Sequence, residues 1–291
     1  MSGRIDLHTH TTASDGLLTP EELVDLAVER GLTVLAITDH DTIEGIDAAM
    51  AHARGRLEVW PGVEISSDVP GSEVHLLGYF VDHHQPSFVA TLTTFRESRL
   101  RRAEQMVRRL ADLGLPVTWQ RVRELAGAGA VGRPHIAQAL LEAGYVTTLA
   151  EAFDRYIGRG GPAYVERHKL TPVEAIRLIH DAGGMPSLAH PIYIGAASET
   201  GEQFDLRAYL PKLVQAGLVG VEAYYPDYTP KVTRDILAIA DEFQLIPTGG
   251  TDFHGRGVHQ VMLGDVEVPW ATIERMRQWR SAKLASGLPA V

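Results

Sequence analysis

The 291 residues contain no cysteine. That excludes disulfides, thiolate zinc sites and cysteine nucleophiles, and it fits a reducing cytoplasm, the expected location. A metal site in this chain must use nitrogen and oxygen ligands. No run is apolar for long enough to cross a bilayer, so no membrane association is expected. The opening residues, MSGRIDLHTH, lack the charged and apolar regions of a secretory signal, and none is expected. Positive charge is in short supply: 27 Lys and Arg against 37 Asp and Glu give a formal net charge of −10. Broad nonspecific binding to nucleic acid is therefore disfavoured, with room left for a local basic patch. Also missing are internal repeats, low-complexity stretches, any evident protein-partner motif and a glycine-rich nucleotide fingerprint.

The sequence does contain short apolar runs separated by helical patterns. Strands are expected at Arg4–Leu7, Val34–Ile37, Glu58–Ile65, Val74–Phe80, Pro186–Ala189, Gly220–Ala223 and Ile246–Thr248. Thr19-Pro20-Glu21-Glu22 and Thr171-Pro172-Val173-Glu174 are helix starts, with a capping threonine, a proline at the first position and acid in the first turn. The alternation predicts a parallel α/β architecture, and polar residues at successive strand ends favour a barrel over an open sheet. About a hundred residues separate the fourth and fifth strands, too many for one crossover helix. They read as helices at Phe88–Leu113, Trp119–Ala126, Pro134–Ala143 and Leu149–Tyr156. The expected organisation is a barrel from 1–85 and 171–291 with an inserted helical cap at 86–170. The first cap helix carries Arg96, Arg99, Arg101, Arg102, Arg108 and Arg109, a solvated face or a guide for a polynucleotide backbone.

His8 and His10 lie two apart on the first strand, so both imidazoles face one side. Alone, such a pair is as often incidental. Asp15 sits in a Ser-Asp-Gly turn, where a turn former and a ligand both fit. The second strand runs into Asp39-His40-Asp41, three groups for ligation or for support of ligands; Asp41 and Thr42 also suit a helix cap. Glu64 ends an apolar run and needs a cation or strong donors. His75 lies within an apolar strand, as a core histidine or a ligand. His190 closes the fifth strand, and Asp252 and His254 follow the seventh. Glu222 ends the sixth, as a support, a substrate contact or a rim ion pair, and Tyr224 and Tyr225 suit packing or base stacking. The mixed imidazole and carboxylate set suits Zn, Mn or Fe. These candidates exceed one ion's needs, which points to two or three ions sharing a carboxylate.

Asp6-Leu7-His8-Thr9-His10, Thr38-Asp39-His40-Asp41, Gly62-Val63-Glu64, Ala189-His190-Pro191 and Asp252-Phe253-His254 resemble the PHP (polymerase and histidinol phosphatase) family over nearly the whole chain. The resemblance implies a distorted (β/α)7 barrel with a trinuclear metal centre. The matching ligands are His8, His10, Asp15, His40, Glu64, His75, His190, Asp252 and His254. Gly132-Arg133-Pro134-His135 and Ala152-Phe153-Asp154-Arg155-Tyr156 look like the cap of the stand-alone phosphoesterases, among them nucleoside 3',5'-bisphosphate phosphatases and 5'-to-3' exoribonucleases. There Arg133 and His135 would face the phosphate, and an arginine at a helix start suits an anion. A plain helix-entry loop is the other reading. The implied reaction is hydrolysis of a nucleotide or short 5'-phosphorylated oligoribonucleotide, with a hydroxide bridging two ions at Glu64 as nucleophile. A histidinol-phosphate or other small-metabolite phosphatase and a non-catalytic metal-stabilised accessory module are the alternatives.

Overall fold

The computed structural model describes residues 3–69, 72–127, 131–166, 170–194, 205–255 and 261–286. The outermost ends of the expected barrel segments, 1–2 and 287–291, lie outside the described residues. Seven strands hydrogen-bond in chain order: β1 (Arg4–Asp6), β2 (Leu32–Ile37), β3 (Glu58–Val69), β4 (Ser72–Tyr79), β5 (Met185–Leu188), β6 (Gly220–Tyr224) and β7 (Ile246–Gly249). The helices are α1 (Pro20–Glu29), α2 (Ile46–Ala53), α3 (Pro86–Asp112), α4 (Trp119–Ala126), α5 (Arg133–Glu142), α6 (Leu149–Ala152), α7 (Pro172–Asp181), α8 (Leu206–Gln215), α9 (Pro230–Glu242) and α10 (Trp270–Ala285).

Strands β1 to β3 pair in parallel, as do β5 to β7. Strand β4 is antiparallel to both neighbours, which corrects the expectation of a wholly parallel sheet. The physical reason is connection length. Val69 pairs directly with Ser72, and a link that short cannot hold the crossover that a parallel pair needs. Beyond the strands, Thr9 bridges Phe253 in parallel. The His10 N–H donates to the Phe253 carbonyl at 2.9 Å, so the ends of the first and last strands meet.

The helix starts behave as their sequences demand. Thr19 accepts from the Glu22 N–H, and Glu22 accepts from the Thr19 N–H at 2.8 Å. Thr171 and Glu174 repeat this box, each cap contributing about 1 kcal/mol. Helix α2 starts differently from the capping option in its sequence. Its N-cap is Gly45 with no side-chain bond, and neither Asp41 nor Thr42 caps it. Strand β2 is buried on both faces: Val34 and Ala36 join one core cluster, Leu35 and Ile37 another. That double burial explains its uninterrupted apolar run.

The chain divides into two compact units, Met1–Ala90 with Lys169–Val291, and Thr91–His168. The described residues of the second are helical or irregular, around Met106, Leu110, Val122, Ile136, Leu140 and Ile157. Helix α6 is shorter than its sequence suggested. The chain continues as a π-turn over Phe153–Ile157, where the Gly158 N–H reaches the Phe153 carbonyl at 2.8 Å. Two of the α3 arginines have local work: Arg102 donates to the Val165 carbonyl and Arg109 to that of Tyr164.

Gly250 lies tight against His8, at the other end of the sheet. A β-carbon there would sit 2.4 Å from the His8 nitrogen and 2.6 Å from the His8 β-carbon. Gly250→Ala is expected to destabilise the protein by about 1–3 kcal/mol through forced separation of these segments. Thermal melting checks this, and an unchanged Tm would contradict it.

Candidate metal centre

Six of the seven strands, or the residues just after them, deliver parts of one cluster. His8 and His10 follow β1, His40 follows β2 and bridges Glu64 of β3, and His75 comes from β4. His190 follows β5, and Asp252 and His254 follow β7. All nine ligand-type residues belong to the first compact unit. Because β4 runs backwards, His75 pairs with Ser66, two residues from Glu64 on the same face of β3.

Glu64 is fully buried, and its two oxygens face different imidazoles. Its Oε2 lies 3.2 Å from His8 Nε2, 3.2 Å from His10 Nε2 and 3.0 Å from His40 Nδ1. Its Oε1 lies 2.8 Å from His75 Nδ1 and 3.1 Å from His190 Nε2. Asp252 Oδ1 stands 3.3 Å from His8 Nε2 and 3.0 Å from His10 Nε2. Asp15 reaches His254 Nε2 at 3.3 Å, with His40 Nε2 at 3.8 Å and His10 Nδ1 at 3.9 Å.

Three overlapping groups bring ligand atoms within 4.8 Å of one another: His10, Asp15, His40 and His254; His8, His10, Glu64 and Asp252; His40, Glu64 and His75. Both nitrogens of His10, His40 Nδ1, Asp15 Oδ1 and Asp252 Oδ1 are buried without a hydrogen bond among the described residues. Five orphaned atoms in one place would be costly if nothing else bound there. Imidazole nitrogens and carboxylate oxygens together suit a borderline divalent cation. The residues present therefore fit metal.

The outer ends of the ligands are tied down. His8 Nδ1 lies 3.0 Å from Glu222 Oε1, which puts its proton there and leaves Nε2 for the cluster. Glu73 faces His75 Nε2 at 3.3 Å, and the Asp252 carbonyl faces His254 Nδ1 at 2.8 Å. Glu222 also accepts from the His190 N–H at 2.7 Å. That bond holds a backbone with φ of 26°, a left-handed conformation that a histidine adopts only when its surroundings impose it. Asp252, at φ 51°, has its second oxygen held by the Tyr225 hydroxyl at 2.8 Å. Asp39 accepts from the Thr11 N–H, the Thr11 hydroxyl and the Ser14 hydroxyl at 2.6–2.8 Å, fixing the loop that carries Asp15. Asp41 accepts from the Ser66 N–H at 2.9 Å. Tyr224 packs beside the core.

The electrostatics follow from this crowding. Burial alone would lower His10, but Asp252 and Glu64 outweigh it and raise the imidazole to about 10. His75 is raised to about 10 in the same way, with Glu64 overcoming burial. Burial lowers His40 to about 4 despite Glu64 and Asp15. Burial would raise Glu64 and Asp252, yet the surrounding imidazoles hold both carboxylates well below their usual range. Without cations, the negative charge is met by protons on imidazoles, and bound metal would displace those protons.

Arg133 and His135 belong to the helical unit. Arg133 is the first residue of α5, its guanidinium 5.6 Å from the Phe153 ring centre and 6.0 Å from that of Tyr164. His135 Nδ1 accepts from the Gly132 N–H at 3.0 Å, so a neutral ring carries its proton on Nε2.

A family model for the PHP domain matches residues 6–158, more than half of the chain. The chain belongs to the PHP domain family. Over 257 residues this PHP chain is 37% identical to the 5'-3' exoribonuclease Rnm of Salmonella typhimurium, covering 86% of this chain and 84% of the relative. Over 260 residues it is 33% identical to the 3',5'-nucleoside bisphosphate phosphatase of Chromobacterium violaceum, covering 87% and 88%. A solved structure from Bifidobacterium adolescentis, assigned as a metal-dependent phosphoesterase, matches with a TM-score of 0.82 at 31% identity, covering 95% and 96%. The PHP chain is an enzyme, a metal-dependent hydrolase of phosphoric esters.

Three supports escaped the reading of the PHP sequence. Tyr225 holds Asp252, Glu73 faces His75, and the buried Asp6 accepts from Thr251 and from the Gly264 N–H. Asp6 and Glu73 had local signals: a carboxylate inside an apolar strand must find donors, and Glu73 lies two residues from His75 on one face of the same strand. Glu222 serves two ligands at once, so Glu222→Gln is expected to weaken Mn²⁺ affinity about 10–100-fold. Titration calorimetry reads this directly, and wild-type affinity would remove Glu222 from the centre.

Proposed function

We propose that this enzyme hydrolyses phosphate esters of nucleotides through three divalent ions of manganese, iron or zinc. Its reactions would be removal of the 3'-phosphate from nucleoside 3',5'-bisphosphates and stepwise hydrolysis of short 5'-phosphorylated oligoribonucleotides. The observation that carries the reading is the division of Glu64 between two sets of imidazoles, beside a third group around Asp15. One ion would be held by Asp15, His40 and His254, one by His8, His10, Glu64 and Asp252, and one by Glu64 with His75 and His190. The sheet is read as a distorted (β/α)7 barrel and Thr91–His168 as its helical cap. The nucleotide class is supported by likeness to the exoribonuclease and the bisphosphate phosphatase over most of their lengths.

Divalent ions in this centre would supply Lewis acidity toward phosphoryl oxygens and bring water's pKa toward neutrality. The chain's own residues do the rest. Glu222 keeps the His8 proton on the outer nitrogen, and Tyr225 stops the Asp252 carboxylate from rotating. Arg133 would offer paired N–H groups to the non-bridging phosphate oxygens, and His135 would add its Nε2–H. Both would stabilise the negative charge that grows on those oxygens as water attacks.

The test is Mn²⁺-loaded enzyme assayed on adenosine 3',5'-bisphosphate, a 5'-phosphorylated oligoribonucleotide and histidinol phosphate. The expected outcome is a higher kcat/KM on one or both nucleotides, with Asp252→Ala losing metal and activity together. Preference for histidinol phosphate would reject the nucleotide reading in favour of a small-metabolite phosphatase.

A further inference from the structure

Beside the ligand cluster stands a group of tyrosine rings within the same compact unit. Tyr193 ends the 3₁₀ turn Pro191–Tyr193 that follows His190. Its ring centre lies 6.0 Å from the His190 imidazole and 5.9 Å from the Tyr225 ring, which it meets edge-on at 70°. Tyr225 lies 5.8 Å from His190 and 5.3 Å from Tyr228. The Tyr193 hydroxyl donates to Asp227 Oδ2 at 3.0 Å. Tyr193 nevertheless stays 41% exposed, next to Ile192 at 38%.

A tyrosine this open is normally free to turn. Here the hydroxyl is anchored at one end and the ring is braced by Tyr225 at the other, so the open part is an ordered, flat, apolar surface. It adjoins the cluster that, on the proposed reading, holds the substrate's phosphate through bound metal. A ligand that satisfies both must join a phosphate to a flat π-face across a short linker, which is the chemistry of a nucleotide. Base stacking on an aromatic ring is tolerant of base identity, because every base has a π-face.

We propose that Tyr193, braced by Tyr225, is the platform on which the substrate's nucleobase stacks. The proposal rests on the nucleotide reading of the same site and adds a residue that sets its preference for nucleotides over simpler esters. Tyr225 has a different task, since its hydroxyl is committed to Asp252. Tyr193 is the ring that meets substrate.

The test compares Mn²⁺-loaded wild type, Tyr193→Ala and Tyr193→Phe on adenosine 3',5'-bisphosphate and on 2-glycerophosphate, which has no ring. Removing the ring is expected to raise KM for the nucleotide about tenfold or more, with a smaller change in kcat. Preference for the nucleotide over 2-glycerophosphate falls by a similar factor, and phenylalanine retains most of it. Should the alanine variant unfold, Tyr193→Leu keeps apolar bulk without a π-face and gives the same reading. Equal losses on both esters, or an unchanged nucleotide KM, overturn the platform while leaving a nucleotide-preferring wild type intact. A wild type with no preference for the nucleotide overturns the nucleotide reading and the platform with it.

Discussion

Glu64 places a carboxylate fully out of water, a transfer that costs several kcal/mol even after the surroundings relax. Five imidazoles offset that cost, three around one oxygen and two around the other. The arrangement sets requirements for the rest of the centre. An acceptor behind an imidazole makes it present a chosen nitrogen, and that acceptor must itself be fixed. Glu222, Glu73 and the Asp252 carbonyl meet the first requirement for His8, His75 and His254. Hydrogen bonds from the His190 N–H to Glu222 and from Tyr225 to Asp252 meet the second.

The fold serves this convergence through two departures from regularity. The reversal of β4 brings His75 beside Glu64; in a parallel strand the other end of that segment would occupy the same rim. The left-handed backbones at His190 and Asp252 occur where two ligand-type side chains meet the cluster soon after their strands end. Strain of this kind persists only where neighbours over-determine it. The Glu222 bond to the His190 N–H is one such restraint, and the glycine-tight approach of Gly250 to His8 is another. The same contacts thus hold these segments together and shape the candidate metal centre.

Much of this was legible in the sequence. The seven strands fall within a few residues of the apolar runs, and the Thr19 and Thr171 boxes mark their helices. The ligand-type residues could be picked out by their joint placement, strand after strand leading into His, Asp or Glu, although each alone also had a plain structural reading. The direction of β4 was missed, although only two residues separate Val69 from Ser72, because β3 continues past the end of its apolar run. The role of Tyr225 had no local signal: its partner Asp252 is distant in the sequence, and a tyrosine after a strand reads equally well as packing. Glu73 lies two residues before His75 on the same face of β4, and that spacing was legible in the sequence. Asp41 shows the reverse problem: a good capping residue by sequence, it is instead drawn to the Ser66 N–H.

The central claim is that one carboxylate joins two ion positions. Metal content per chain, measured by elemental analysis after Mn²⁺ loading and desalting, tests it most directly when wild type is compared with Glu64→Ala, with folding checked by circular dichroism. The account predicts that a folded Glu64→Ala protein loses more than one ion per chain, because both imidazole sets lose their shared ligand. A folded variant that keeps the wild-type metal content would contradict it.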